Sequence, residues 1–181
     1  MMNLNDLKDK KFILTDIPVK DILSLFAGLC SNKYKLYAMD CREMNTLDGF
    51  HNVLSSTFSF AKYYGRNVNA AIDCLEDLDY ENIEGFLVIF KNANNLLVDT
   101  SFVVTRWDGS RVKMKQNIAD MAVSIFSSSS RRWAEDLIND PIEANRRPAR
   151  HMLTIFQDEN LNFDKFKEFI KAENANYIEL R

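Results

Sequence analysis

GFLVIF, residues 85–90, is an unbroken apolar run entered through a glycine. A strand with one wet face would alternate, so this run reads as a strand buried on both faces in the middle of a parallel sheet. Working outward, YKLYAMD (residues 34–40) before it and HMLTIF (residues 151–156) after it have strand composition, as does the short FILT of residues 12–15. Helical spacing fills the intervals. A helix starting near Pro18 runs through Ile22, Leu23, Leu25, Phe26 and Leu29, and a second, capped by Thr46, carries Leu47, Phe50, Val53, Leu54 and Phe58. The turn KYYG follows, with Gly65 placed to take a positive φ, and Asn67 caps a third helix. A long helix is predicted from Val112 through Met114, Ile118, Met121, Ala122, Ile125 and Phe126, across the serine run to Trp133 and Leu137. A last amphipathic helix uses Phe163, Phe166, Phe169 and Ile170. Residues 92–110 fit two readings: NANNLLVD could open a helix, while TSFVVTRW before Asp108-Gly109 resembles a strand and turn. Strands separated by helices give an α/β fold with a small, mainly parallel sheet of three or more strands covered by helices.

The 181 residues suit a single domain, with 46% apolar and 27% charged residues and no segment of membrane-spanning length. The N-terminus has acids and amides ahead of a short apolar run rather than a basic region and an apolar core, so no export signal is read there. Cys30, Cys41 and Cys74 are odd in number and lack CxxC spacing, which fits packed, reduced thiols and a cytoplasmic protein. The formal net charge is −3, which opposes direct nucleic-acid binding and membrane-surface attraction. Acidity is concentrated: residues 73–84 hold Asp73, Glu76, Asp77, Asp79, Glu81 and Glu84 with no Lys or Arg.

Catalytic signatures are sparse. Five scattered glycines form neither a P-loop nor a GxGxxG cradle. His51 and His151 are a hundred residues apart, outside any HExxH or Cys/His cluster, and read as surface or satisfied core residues. Cys74, between Asp73 and Leu75, reads as packed rather than nucleophilic, and Trp107 and Trp133 as core or partly buried residues. Arg131, Arg132, Arg146, Arg147 and Arg150 could form a phosphate-binding patch, although charged loops are usually just solvated. No enzyme activity, cofactor or metal is expected.

The acidic stretch belongs to the third helix. There Val68, Ala71, Ile72, Leu75 and Leu78 share one face, and Asn69, Asp73, Glu76 and Asp77 fall opposite, outward. FAKYYGRNVNAAIDCLEDL, residues 60–78, resembles the signature of the barstar family of ribonuclease inhibitors: Tyr63, Tyr64, Gly65, Asn67, Ala70, Asp73, Cys74 and Leu75 stand in the family's order and spacing. The layout of strands and helices follows the family over residues 34–156, leaving residues 1–33 and 157–181 as additions to one barstar-like domain.

The resemblance implies a bacterial immunity or antitoxin protein that occludes the basic cleft of a cognate toxin, a ribonuclease, with an acidic helix. A nuclease must present cations to bind phosphate, and carboxylates can stand in for those phosphates. The implied partner-binding residues are Tyr63, Tyr64, Gly65, Arg66, Asn67, Asn69, Ala70, Asp73, Glu76 and Asp77, with Asp73 the principal acidic contact. Asn69, Arg66 and Ile72 depart from the family's common Asp, acid and Trp, which implies a different target or a shifted docking pose. Ser127, Ser128 and Ser129 lie about where a further acidic contact is expected. The competing reading is a barstar-like interaction module that regulates another basic protein.

Overall fold

The computed structural model describes residues 7, 9–27, 33–142 and 146–181. In chain order the elements are β1 (Phe12–Thr15), α1 (Val19–Leu25), β2 (Tyr34–Asp40), a 3-10 turn (Cys41–Glu43), α2 (Leu47–Phe58), α3 (Val68–Glu76), β3 (Gly85–Lys91), a second 3-10 turn (Ala93–Leu96), β4 (Asp99–Thr105), β5 (Arg111–Asn117), α4 (Ile118–Trp133), β6 (His151–Gln157), α5 (Phe163–Ala172) and β7 (Tyr177–Leu180).

Five strands form one sheet in the order β2-β3-β6-β1-β7, every neighbouring pair parallel. The apolar run is β3, interior to the sheet, and Val88 stands opposite Tyr37 on one side and Thr154 on the other. Alternate side chains feed two cores. Phe12, Leu14, Phe86, Val88, Phe90 and Phe156 point to the face covered by α2, α3, α4 and α5. Ile13, Leu87, Ile89, Leu153 and Ile155 point the other way, under Ile22 and Phe26 of the α1 segment. Such double burial is what an unbroken apolar run requires.

The N-terminal segment contributes an interior strand. β1 lies between β6 and β7, with all four of its residues buried. The β7 edge, Tyr177–Leu180, carried no strand prediction; it is four residues long, partly exposed and interrupted by Glu179. Leu29 and Cys30, assigned to the first helix and to a packed thiol, lie outside the described residues.

The helix predicted from Val112 is a correction. Val112, Met114 and Gln116 belong to β5, antiparallel to β4, and α4 begins only at Ile118. RVKMKQN alternates with period two, and Met114 mimics a helical position only because it precedes Ile118 by four residues. Gly109, at φ 80°, makes the turn that joins the two strands. The same hairpin overturns the packing expected for Trp107, which is 99% exposed at its tip, whereas Trp133 is fully buried. Leu137 lies beyond α4.

Candidate docking surface

The surface is built from the segment between α2 and α3. Helix α2 ends when Ser59 enters the left-handed region at φ 55°. The next left-handed residue is Arg66 at φ 49°, so Arg66 rather than Gly65 takes the conformation expected of the glycine. Space is tight at Gly65 instead. A Cβ there would lie 3.1 Å from Asn67 Nδ2 and 3.4 Å from the Ala70 side chain. Asn67 closes the turn as the cap of α3: its Oδ1 accepts from Ala70 N–H at 2.9 Å while its Nδ2 donates to Gly65 O at 3.1 Å.

The two tyrosines of the turn diverge. Tyr63 is 85% exposed. Tyr64 folds inward, its ring 4.9 Å from that of Phe60, and its phenol and His51 Nδ1 share a hydrogen bond of 2.5 Å. Burial holds the His51 imidazole down at about 4 and pushes the Tyr64 phenol up, so both are neutral near pH 7. Arg66 turns back to α2, where it donates to Asn52 Oδ1 at 2.7 Å and to the Asp48 carbonyl and carboxylate at 3.0 and 3.1 Å. Its charge is thus directed at Asp48 and braces the turn.

Helix α3 buries Ala71, Ile72 and Leu75 and exposes Asn69, Asp73 and Asp77, as its periodicity requires. Ala70, Cys74 and Glu76 are half-buried. Burial also pushes up the Cys74 thiol, with help from Asp77 and Asp73, which suits a packed thiol rather than a nucleophile. The indole N–H of Trp133 donates to Leu75 O at 2.9 Å, pinning the far end of α3 to α4.

The outward placement of Glu76 needs correction. Arg132 of α4 reaches over the end of α3, its Nη1 2.6 Å from Glu76 Oε1 and 3.5 Å from Asp73 Oδ1. Burial raises the Glu76 carboxyl, and Arg132 and Arg147 oppose that rise. Sequence placed these arginines in a separate patch, and only tertiary folding brings Arg132 onto the acids. Arg147, 4.3 Å above the Trp133 ring, donates to Arg132 O at 2.6 Å and supports it. The expectation for the serines is also corrected: Ser127 and Ser129 face the core, and Ser128 is half-buried. Small side chains there bring α4 close to the sheet, and Ser130 Oγ donates to Met152 O at 3.0 Å.

Hollows flank α3 on two sides. One, of about 440 Å³, brings together Tyr63, Cys74 and Asp77 beside Phe60 and Tyr37. The other, of about 550 Å³, runs between the first turn of α3 and the hairpin, lined by Arg66, Asn67, Val68 and Asn69 opposite Phe102 and Val104. The hairpin side of this hollow went unseen in the sequence because residues 92–110 admitted two readings. Among the described residues no His, Cys, Asp and Glu cluster could hold a metal ion, and no helix is long and apolar enough to cross a membrane. His151, the other histidine, is held by Tyr34 Oη at 3.0 Å and the Lys10 carbonyl at 2.8 Å.

These features define a small parallel α/β scaffold whose exposed turn and helix are braced from beneath. A family model described as Barstar (barnase inhibitor) matches residues 34–145, more than half of the chain, and the protein belongs to the barstar family. The family is one of inhibitors that bind ribonuclease-type partners. No curated protein matches the sequence significantly. Among solved structures, the chain is similar to the ORC2 protein of Aeropyrum pernix in its ADP form, at 14% identity and a TM-score of 0.45. That likeness covers 98% of this chain and 45% of the other, so the chain spans less than half of that protein, and the score is too low to bear on function.

Proposed function

We propose that the protein is an immunity-type inhibitor that binds a cognate bacterial toxin of ribonuclease class in the cytoplasm and blocks its cleft without catalysis. The observation that carries this reading is Asp73. It is exposed on a helix held by the Asn67 cap at one end and the Trp133 indole at the other, at the position matching the family's acidic contact. Tyr63, Asn69 and Asp77 are exposed with it, and they form the proposed contact together with Tyr64, Gly65, Arg66, Asn67, Ala70 and Glu76.

A carboxylate fixed in this way meets a cationic cleft without first losing conformational freedom, which favours tight association. Arg132 lies 2.6 Å from Glu76 and 3.5 Å from Asp73, so it partly balances both and leaves Asp77 the acid it does not reach. We further propose that the terminal segments and residues 34–156 are one domain, since β1 completes the sheet between β6 and β7. Co-expression with a toxic ribonuclease encoded in the adjacent gene, where the genome carries one, or otherwise with a panel of bacterial toxin ribonucleases, tests the function: the protein should restore growth and co-purify with one of them, and growth arrest by all of them would reject the reading.

A further inference from the structure

β4 and β5 pair only with each other among the described strands, so each has one ladder edge without a neighbour. Arg106 N–H donates to Ser110 O at 2.8 Å and Ile118 N–H donates to Val98 O at 3.0 Å. In this antiparallel register the even-numbered residues of β4 therefore exchange hydrogen bonds with β5. Asp99, Ser101, Val103 and Thr105 turn their backbone N–H and C=O groups to the open edge.

The two edges are chemically unlike. That of β5 carries Arg111, Lys113 and Lys115, the charges by which natural sheets block strand addition. That of β4 carries one acid, Asp99, at its start and then Ser101, Val103 and Thr105, uncharged and mostly β-branched, with Val103 52% exposed. A two-stranded ribbon is marginal in water and gains from further strands.

We propose that β4 is a dimerisation edge, to which a second copy of this chain adds its own β4 antiparallel, making a four-stranded sheet. This inference is independent of the toxin reading. A two-fold axis at Phe102 places the phenylalanines opposite each other, Ser101 opposite Val103, Thr100 opposite Val104 and Asp99 opposite Thr105. Edge-facing residues then meet edge-facing residues as hydrogen-bonded pairs, and no like charges are opposed. The same construction on β5 sets Lys113 against itself or against Lys115, so only the β4 edge is self-complementary. Trp107, 99% exposed, is carried past the end of the added strand, beside Leu97 and the exposed Val98 of the second copy. The symmetry closes at two, so the product is a dimer rather than a filament.

Sedimentation of the full chain over a concentration series tests this, using wild type, Val103→Pro and Ser101→Lys, with circular dichroism to verify folding. The wild type should form dimers and nothing larger. Val103→Pro removes an edge N–H, and Ser101→Lys places an ammonium on the edge without touching the core, so each should raise the dimer dissociation constant about tenfold or more. Phe102→Cys should give a disulfide-linked dimer under mild oxidation that the wild type does not. A wild type that stays monomeric, one that forms larger assemblies, or a dimer indifferent to both edge variants overturns the proposal.

Discussion

Arg132 Nη1 lies 2.6 Å from Glu76 Oε1, so the acidic helix carries an internal counterion supplied by the helix beside it. A cationic partner approaching Asp73 meets a surface already partly balanced. Removing the guanidinium with Arg132→Gln should therefore speed association with the toxin by about two- to fivefold at low salt and steepen the fall of on-rate with ionic strength. Because the pair is partly solvated, stability should drop by only about 1 kcal/mol or less. Stopped-flow mixing at several salt concentrations measures the first effect, and thermal melting the second. An unchanged on-rate would show that Arg132 does not screen the docking surface.

Asp73 itself should be the most sensitive position. A carboxylate and a cation about 4 Å apart attract by roughly 4 kcal/mol at an effective dielectric near 20, before desolvation is subtracted. Asp73→Ala should weaken toxin inhibition by about two decades, and Asp73→Arg further, through repulsion. Asn69→Ala should do less, having no charge to lose. Titration of the toxin with each variant decides it, and a folded Asp73→Arg that inhibits like wild type removes this helix from the interface.

The buried His51 makes stability depend on pH. Its folded value, about 4, lies below the ordinary 6.5, so between these values the unfolded chain binds more protons. The contribution of neutral His51 is complete above pH 6.5 and is lost as pH falls toward 4. Denaturant melts of wild type and His51→Leu should converge as pH drops through this window, the wild type losing its advantage. Parallel pH profiles for the two proteins would show that His51 does not carry the effect.

The turn should tolerate neither added bulk nor loss of its cap. Gly65→Ala puts a methyl group 3.1 Å from Asn67 Nδ2, and relieving that contact displaces the capping side chain. Asn67→Ala deletes the cap outright and should cost about 1 kcal/mol. Both variants should melt earlier and bind the toxin more weakly than their stability loss alone explains, because the turn and the first turn of α3 move together. Calorimetry alongside binding titration separates the two effects.

How far this protein can be read from its residues depends on whether a pattern is local. Burial on both sides of residues 85–90, the Thr46 and Asn67 caps, and the alternation of α3 between core and solvent follow from side chains next to one another in the chain. Near Met114 a four-residue spacing competed with a two-residue one, and the pairing of β5 with β4 settled in favour of the strand. Arg66 takes the positive φ while Asp48 and Asn52, on the preceding helix, hold its guanidinium, a placement no rule about glycine anticipates.

Sequence by itself determined the parallel α/β class, the family signature of the turn and helix, and the exposure of Asp73, since each rests on periodicity or on contiguous residues. Tertiary structure alone decided that β1 sits between β6 and β7, that Arg132 closes on Glu76, and that Ser127, Ser129 and Ser130 of α4 are buried. Those outcomes join groups far apart in the chain: Glu76 and Arg132 are 56 residues apart, and Ser130 and Met152 are 22. Such groups meet only when the whole sheet and its helices close around a shared core, and no local pattern encodes which distant partner arrives.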